Sequence, residues 1–357
     1  MTDVDLRPLR TRSSSPVPSS ARRARRSRER RGLLLLAVAV IAVGGWSVTL
    51  GELQLGPAGT WNALRGNGSP STVFVVQQLR IPRLLCSVGV GAALGVGGAI
   101  FQSLTRNPLA TPDLLGVTSG AGCAVALAVL GFGFGSGVGL APFAMAGALL
   151  ATAFLYAFAW RNGISGRTLV LIGIGVAALT SAITSYLLTT KPALETQRVL
   201  FWLTGSVSGV RWSDARLALA ALLLLTLCLP LLRRWMPLLE LDDGTATALG
   251  VPVAAARAVV VGLAAVLAAL AVAVAGPIGF LGLVAAPVAR GITGRAGFSA
   301  VGPALSGALI VLVADLVGAH LLGALTVPVG VVAAAIGAPY LMFLLARSGR
   351  TRSGEHR

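Results

Sequence analysis

Long apolar runs separated by short polar segments dominate this chain of 357 residues. A helix that crosses the hydrocarbon core of a membrane needs about 20 mostly apolar residues. The runs therefore predict an all-α fold, a polytopic transmembrane helical bundle of about ten spans. The predicted spans are 32–50, 84–104, 114–131, 141–159, 168–188, 215–232, 258–275, a piece that follows Gly276-Pro277 and ends near 292, 300–323 and 328–346.

The composition excludes the soluble classes of protein. Hydrophobic residues make up 55% of the chain and charged residues only 11%, whereas a soluble domain carries about 25% charged residues. Such a chain has too little polar surface to cover its apolar content in water. We therefore expect an integral membrane protein.

The net charge of +17 is informative through its placement. Arginines are concentrated in residues 7–31, and others lie in the short loops between predicted spans and in the C-terminal tail. The positive-inside rule accounts for this pattern if both chain ends are cytoplasmic, and it makes nucleic acid binding the weaker interpretation. Residues 1–31 are predicted to be a disordered arginine-rich cytoplasmic segment that touches membrane lipid. The transmembrane domain is predicted over 32–347 and a cytoplasmic tail over 348–357.

No motif for catalysis or for a resident cofactor occurs in the sequence. It has no Walker A motif and no HExxH, GxSxG or CxxC arrangement. Cys86, Cys123 and Cys228 lack metal-type spacing, and the chain has only two histidines. We expect no catalytic, cofactor or metal site.

Carboxylates are nearly absent from the predicted spans, where only Asp315 and Asp113 qualify. Carriers that are coupled to protons or sodium place carboxylates in their spans. The energy for transport is then expected to come from a separate ATPase subunit.

Residues 237–252 form a polar segment between two spans, and Gly250 and Pro252 predict the end of a short helix there. Leu241 and Leu249 could anchor this helix in a groove of a cytoplasmic partner. An ordinary connector at the membrane interface is the equally acceptable alternative.

Arg80-Ile81-Pro82-Arg83 lies at the predicted external mouth of the second span, where positive charge is unusual. The two arginines could pair with carboxylates of an extracytoplasmic partner. Anchoring to lipid phosphates is the alternative.

The same segments carry a resemblance that covers nearly the whole chain from about residue 33. The most specific block joins Arg80-Ile81-Pro82-Arg83 to the loop Arg106-Asn107-Pro108-Leu109-Ala110 and its continuation Pro112-Asp113-Leu114-Leu115-Gly116. Supporting pieces include 201–206, 249–252, 276–284 and 328–332. The chain resembles the FecCD-type family of ABC importer permeases, which serve ferric siderophores, haem and cobalamin.

This resemblance implies a set of partners. They are two ATPase subunits, a second permease subunit that is identical or paralogous, and an extracytoplasmic siderophore-binding protein. It also implies roles for several residues of this chain, which are named by their positions in this sequence. Arg80 and Arg83 are expected to dock the binding protein, and Trp202, Gly205 and Ser206 to form an external gate. Arg106 to Ala110 form a loop motif of the family. The residues expected to couple to the ATPase are Leu239, Leu241, Asp243, Ala246, Leu249 and Gly250.

The leading hypothesis is a permease subunit in the cytoplasmic membrane of a bacterium that moves an iron-siderophore chelate. Haem or cobalamin is the alternative cargo. An ion-coupled secondary carrier and a membrane-embedded enzyme are the alternatives from other classes, and both lack the residues that they would need.

Overall fold

The computed structural model describes residues 19–51, 53, 55–113, 115–134, 139–161, 166–295, 297–320 and 326–352. Within these ranges the secondary structure is helical. The helices are α1 (Ser19–Thr49), α2 (Gly56–Leu64), α3 (Pro70–Phe74), α4 (Ile81–Thr105), α5 (Val117–Ala126), α6 (Ala141–Arg161), α7 (Gly166–Thr190), α8 (Ala193–Leu203), α9 (Trp212–Leu239), α10 (Asp243–Ala248), α11 (Val253–Ala275), α12 (Leu281–Thr293), α13 (Val301–His320) and α14 (Val329–Arg352).

Ten of these elements correspond to the ten predicted spans. Among the described residues, seven helices are long and apolar enough to cross a membrane. Three shorter apolar stretches, Val117–Gly131, Leu281–Thr293 and Val329–Tyr340, supply the rest. The all-helical fold and the approximate number of spans are therefore confirmed.

Helix α4 lies at the centre of the bundle and packs against α9, α11, α12 and α13. In its most apolar stretch 83% of the residues are buried, against 17% in α7. Its glycines make this packing possible: a Cβ on Gly91 or Gly95 would collide with the carbonyl oxygens of Gly307 or Pro303 on α13. The Gly91 and Gly95 pair thus acts as a close-approach motif between helix backbones.

The helix that contains α4 begins well before the predicted span. Helix α3 runs through a π-helical segment, Val75–Arg80, directly into α4, and the backbone N–H of Ile81 donates to the carbonyl of Val76. Pro82 follows immediately, and it cannot donate a backbone hydrogen bond. The helix is thus widened to a π turn directly before Pro82.

The start of α1 differs from the sequence expectation. Residues 19–31, expected to be disordered, are the first turns of α1, while residues 1–18 lie outside the described residues. Arginine is a good helix former, and the helix is fixed by packing. Gly32 lies against the backbone of Ile292 and Thr293, and Glu29 forms an ion pair with Arg295.

The bundle has two ends, which we name by their ion pairs. At the Arg83 end lie the last turn of α1, the start of α4 and the end of α13. At the Asp243 end lie the start of α1, the end of α4, α10 and the start of α11. The arginines of the first turns of α1, Arg106 and Arg295 are thus gathered at the Asp243 end.

Candidate functional site

Helix α10 is a short helix exposed at the Asp243 end. It begins because the carboxylate of Asp242 accepts hydrogen bonds from the backbone N–H of Thr245 at 2.9 Å and from its hydroxyl at 2.7 Å. These bonds favour the ionised carboxylate and lower the pKa of Asp242. The helix ends at Gly250, whose φ of 80° lies in the left-handed region, and the N–H of Val251 returns to the carbonyl of Ala246.

The six residues assigned to ATPase coupling divide into two groups. Leu241, Asp243, Leu249 and Gly250 are exposed, and Leu249 keeps 59% of its surface. Leu239 and Ala246 are buried within the chain, at 2% and 1% exposure. Leu239 and Ala246 therefore hold the segment in place and are not part of its outer surface.

An ion pair fixes α10 to the next helix. Arg257, in the second turn of α11, donates from both terminal nitrogens to the two carboxylate oxygens of Asp243. A planar guanidinium held by two parallel bonds constrains orientation as well as distance. The ion pair therefore links α10 directly to the start of α11.

The Arg106-Ala110 loop lies beside this segment. Arg106 closes α4 in a left-handed conformation, and its guanidinium donates to the backbone carbonyl of Leu241. The side chain of Asn107 accepts a hydrogen bond from the backbone N–H of Leu109 at 2.9 Å. Ala110 is buried, whereas Pro108 is exposed. Two motifs that are far apart in the sequence thus form one surface.

Hydrogen bonds of two further side chains, Glu240 and Gln102, tie this surface into the bundle. The carboxylate of Glu240 accepts from the backbone N–H of Phe298 at 3.1 Å, just before α13. Gln102, near the end of α4, donates to the carbonyls of Gly282 and Leu283 and accepts from Arg290. The α10 segment is therefore linked to α4, α11 and the loop that precedes α13.

At the Arg83 end, both arginines of the Arg80-Ile81-Pro82-Arg83 motif have partners within the chain. Arg80 donates to the carbonyls of Val48 at 2.8 Å and Leu53 at 2.9 Å. Arg83 donates from Nε and Nη2 to the two oxygens of Asp315 at 2.9 and 2.7 Å. Arg80 therefore holds the end of α1 and the loop that follows it against the start of α4, and Arg83 links α4 to α13.

The residues assigned to the external gate lie at a backbone junction. The N–H of Ser206 donates to the carbonyl of Ala275 at 2.7 Å, and the N–H of Gly330 donates to the carbonyl of Gly205 at 2.9 Å. Gly205 has a φ of 70° and lies against Pro277, while Trp202 is half-buried. The end of α8, the Gly276-Pro277 break and the start of α14 meet here.

The sequence did not reveal which residues pair with the predicted site residues. The sequence marks Asp315 as a rare carboxylate in a span and as part of the family resemblance, but it does not indicate a partner for it, and it gives no signal for Arg257. A lone carboxylate in an apolar helix is normally paired, and this signal could have directed the search toward Arg83. Among the described residues, no three His, Cys, Asp or Glu side chains are arranged to hold a metal ion.

Comparison with known proteins places this architecture in a family. A family model described as the FecCD transport family matches residues 35–347. The chain belongs to the FecCD transport family. As the resemblance of the Arg80 and Arg106 motifs implied, it is a multi-pass membrane protein of the permease type.

Individual family members match over almost their whole length. The chain is 41% identical over 320 residues to the ferric enterobactin transport system permease protein FepG of Escherichia coli (strain K12), a match that covers 89% of this chain and 96% of that protein. It is 36% identical over 324 residues to the vitamin B12 import system permease protein BtuC of Escherichia coli O157:H7, covering 90% and 96%. A solved structure of a transporter assigned to the metal-chelate type of ABC transporter, in an inward-facing conformation, matches with a TM-score of 0.76 at 30% identity, covering 89% of this chain and 99% of that one.

Proposed function

We propose that this chain is the transmembrane permease subunit of an ATP-driven importer and that it moves an iron-siderophore chelate across the cytoplasmic membrane. The observation that carries the proposal is the 41% identity to a ferric enterobactin permease over 96% of that protein. ATP hydrolysis takes place on separate ATPase subunits, and the chain itself is not an enzyme.

The orientation follows from charge. The Asp243 end gathers the arginines of the first turns of α1, Arg106 and Arg295, and positive charge favours the cytoplasmic side. The ATPase subunits then face α10, and a substrate-binding protein faces the Arg83 end.

The surface around α10 receives the ATPase motion. Leu241 and Leu249 are the exposed apolar anchors, at 39% and 59% exposure, and apolar side chains that fill a partner's pocket dominate such contacts. Asp243 and Gly250 border them on the same exposed segment.

Helix α11 conveys this motion to the other end of the bundle. It is an uninterrupted helix of 23 residues, about 35 Å long at 1.5 Å per residue. Its start is clamped to Asp243 by Arg257, and its end accepts the bond from Ser206 at the gate junction. A displacement of α10 therefore shifts the backbone next to Trp202, Gly205 and Ser206, which opens or closes the external mouth.

Docking of the binding protein occurs around Arg83 and Arg80, the two arginines at the start of α4. Arg83 is bonded to Asp315 through Nε and Nη2, so an incoming carboxylate approaches through Nη1. A second permease subunit, identical or paralogous, completes the pathway. The exposed leucine and isoleucine side chains of α7, such as Leu171 and Ile174, supply an apolar surface for it.

Uptake by cells tests the cargo. A strain that lacks the gene should lose ATP-dependent uptake of at least one radiolabelled ferric siderophore and keep cobalamin uptake, and the wild-type gene should restore the loss. Normal uptake of every ferric siderophore together with failed cobalamin uptake would instead assign the vitamin B12 function, to which the similarity to BtuC points.

A further inference from the structure

A cavity of about 280 Å³ opens at the Arg83 end between α1, the first turns of α4 and the last turns of α13. Its polar lining includes Arg80, Arg83, Ser87, Asp315 and His320. Leucines of the same helices form the remaining wall. The cavity is therefore amphipathic, with charged groups and hydrocarbon side by side.

Ser87, which lines the cavity, carries a hydroxyl that a bound ligand could pair with. Ser87 is fully buried, and its hydroxyl has no hydrogen-bond partner among the described residues. A buried hydroxyl without a partner is costly, and such groups are rare in folded proteins. An oxygen acceptor held in the cavity would satisfy it.

The charges of the cavity favour an anion. Two guanidinium groups face a single carboxylate, which leaves one positive charge in excess. Arg83 donates from Nε and Nη2 to Asp315, whereas Arg80 donates from Nη1 and Nη2 to backbone carbonyls. These carbonyls are uncharged, so they do not neutralise Arg80. Arginine presents a planar fork of donors that matches the geometry of a phosphate.

The surroundings of the cavity point to lipid as the source of that anion. The outer face of α1, opposite the turn that lines the cavity, exposes Leu35, Val38, Ile41 and Trp46, at 60% to 74% exposure, as expected for a helix that faces lipid. Tryptophan is enriched at the level of the headgroups. At the cavity itself, Leu53 and Leu79 remain exposed at 43% and 49%.

We propose that this cavity binds the phosphate of an anionic membrane phospholipid. The guanidinium groups of Arg83 and Arg80 hold the phosphate oxygens, and the Ser87 hydroxyl donates to one of them. The acyl chains lie against Leu53 and Leu79, which line the cavity and remain exposed.

This site goes beyond the proposed import function and can be separated from docking of a binding protein. Ser87 is fully buried and has no part in the proposed docking of a binding protein, whereas Arg83 serves both proposals. Loss of lipid binding in Ser87→Ala with normal uptake is therefore a signature of the lipid site alone.

The test is lipid retention by the purified chain in detergent, measured by native mass spectrometry during titration with phosphatidylglycerol. Arg83→Gln should weaken binding about tenfold or more, since a hydrogen bond to a charged group is lost, and Ser87→Ala about threefold. Arg216→Gln, which removes an exposed arginine of α9 at the same end, is the matched control and should leave binding unchanged.

Three results would overturn the proposal. They are the absence of phosphatidylglycerol retention, equal effects of Arg216→Gln and Arg83→Gln, and retention of inorganic phosphate in preference to the lipid. If Arg83→Gln fails to fold, Ser87→Ala decides alone, and unchanged binding in it counts against the site.

Discussion

At the scale of residues, the ion pair between Arg83 and Asp315 shows how a charge is accommodated within an apolar bundle. The side chains are 32% and 11% exposed, so Asp315 depends on its partner more than Arg83 does. A carboxylate that loses such a partner keeps its desolvation cost without the compensating attraction. The glycine contacts between α4 and α13 hold the two backbones close enough for the pair to form.

Asp315→Asn should lower the free energy of unfolding by about 1–3 kcal/mol, because it leaves the guanidinium of Arg83 without its charge partner. The double variant Arg83→Gln with Asp315→Asn should lose less than the sum of the two single changes. Thermal denaturation in a mild detergent measures all three. Strict additivity of the single effects would show that the two side chains do not interact.

At the scale of elements, the sequence predicted where α10 ends but not which of its residues face outward. Gly250 and Pro252 mark the end of the helix in any context, because their backbone preferences are local. Burial of Leu239 and Ala246 depends on packing against distant helices, as does the bond from Arg106 to the carbonyl of Leu241. Hydrophobic spacing in a segment this short could not have supplied that information.

Leu249→Asp should weaken association with the ATPase subunit at least tenfold, because a charge replaces an apolar anchor at the proposed contact. Co-purification of the ATPase with the tagged permease measures this. Leu200→Asp, an exposed leucine of α8 at the opposite end, is the control and should retain the ATPase. Equal retention by both variants would remove α10 from the coupling surface.

Close helix packing through α4 gives a second prediction for this scale. A Cβ on Gly98 would collide with the backbone of Gly282, whereas Gly262 of α11 has open space around it. Gly98→Ala should cost about 1–3 kcal/mol of stability through overpacking. Gly262→Ala should be neutral or slightly stabilising, because alanine is the better helix former. Equal melting temperatures of the two variants would contradict the close approach of α4 and α12.

At the scale of the whole molecule, hydropathy sufficed to predict the helical bundle and its ten spans. A helix that spans lipid needs a long, mostly apolar stretch, so the approximate positions of spans such as α9 and α11 could be predicted from sequence. Which helices touch could not, since apolar faces such as those of α4 and α7 look alike in sequence. The central position of α4 and the junction of Gly205 with Gly330 required the structure.

The central claim is that this chain is a conduit moved by a separate ATPase. Proteoliposomes that contain the complete assembly of permease, ATPase and binding protein should accumulate a radiolabelled ferric siderophore only when ATP is supplied on the ATPase side. Proteoliposomes that contain the permease alone should not accumulate it under an imposed proton or sodium gradient. Accumulation by the permease alone under such a gradient would contradict the account.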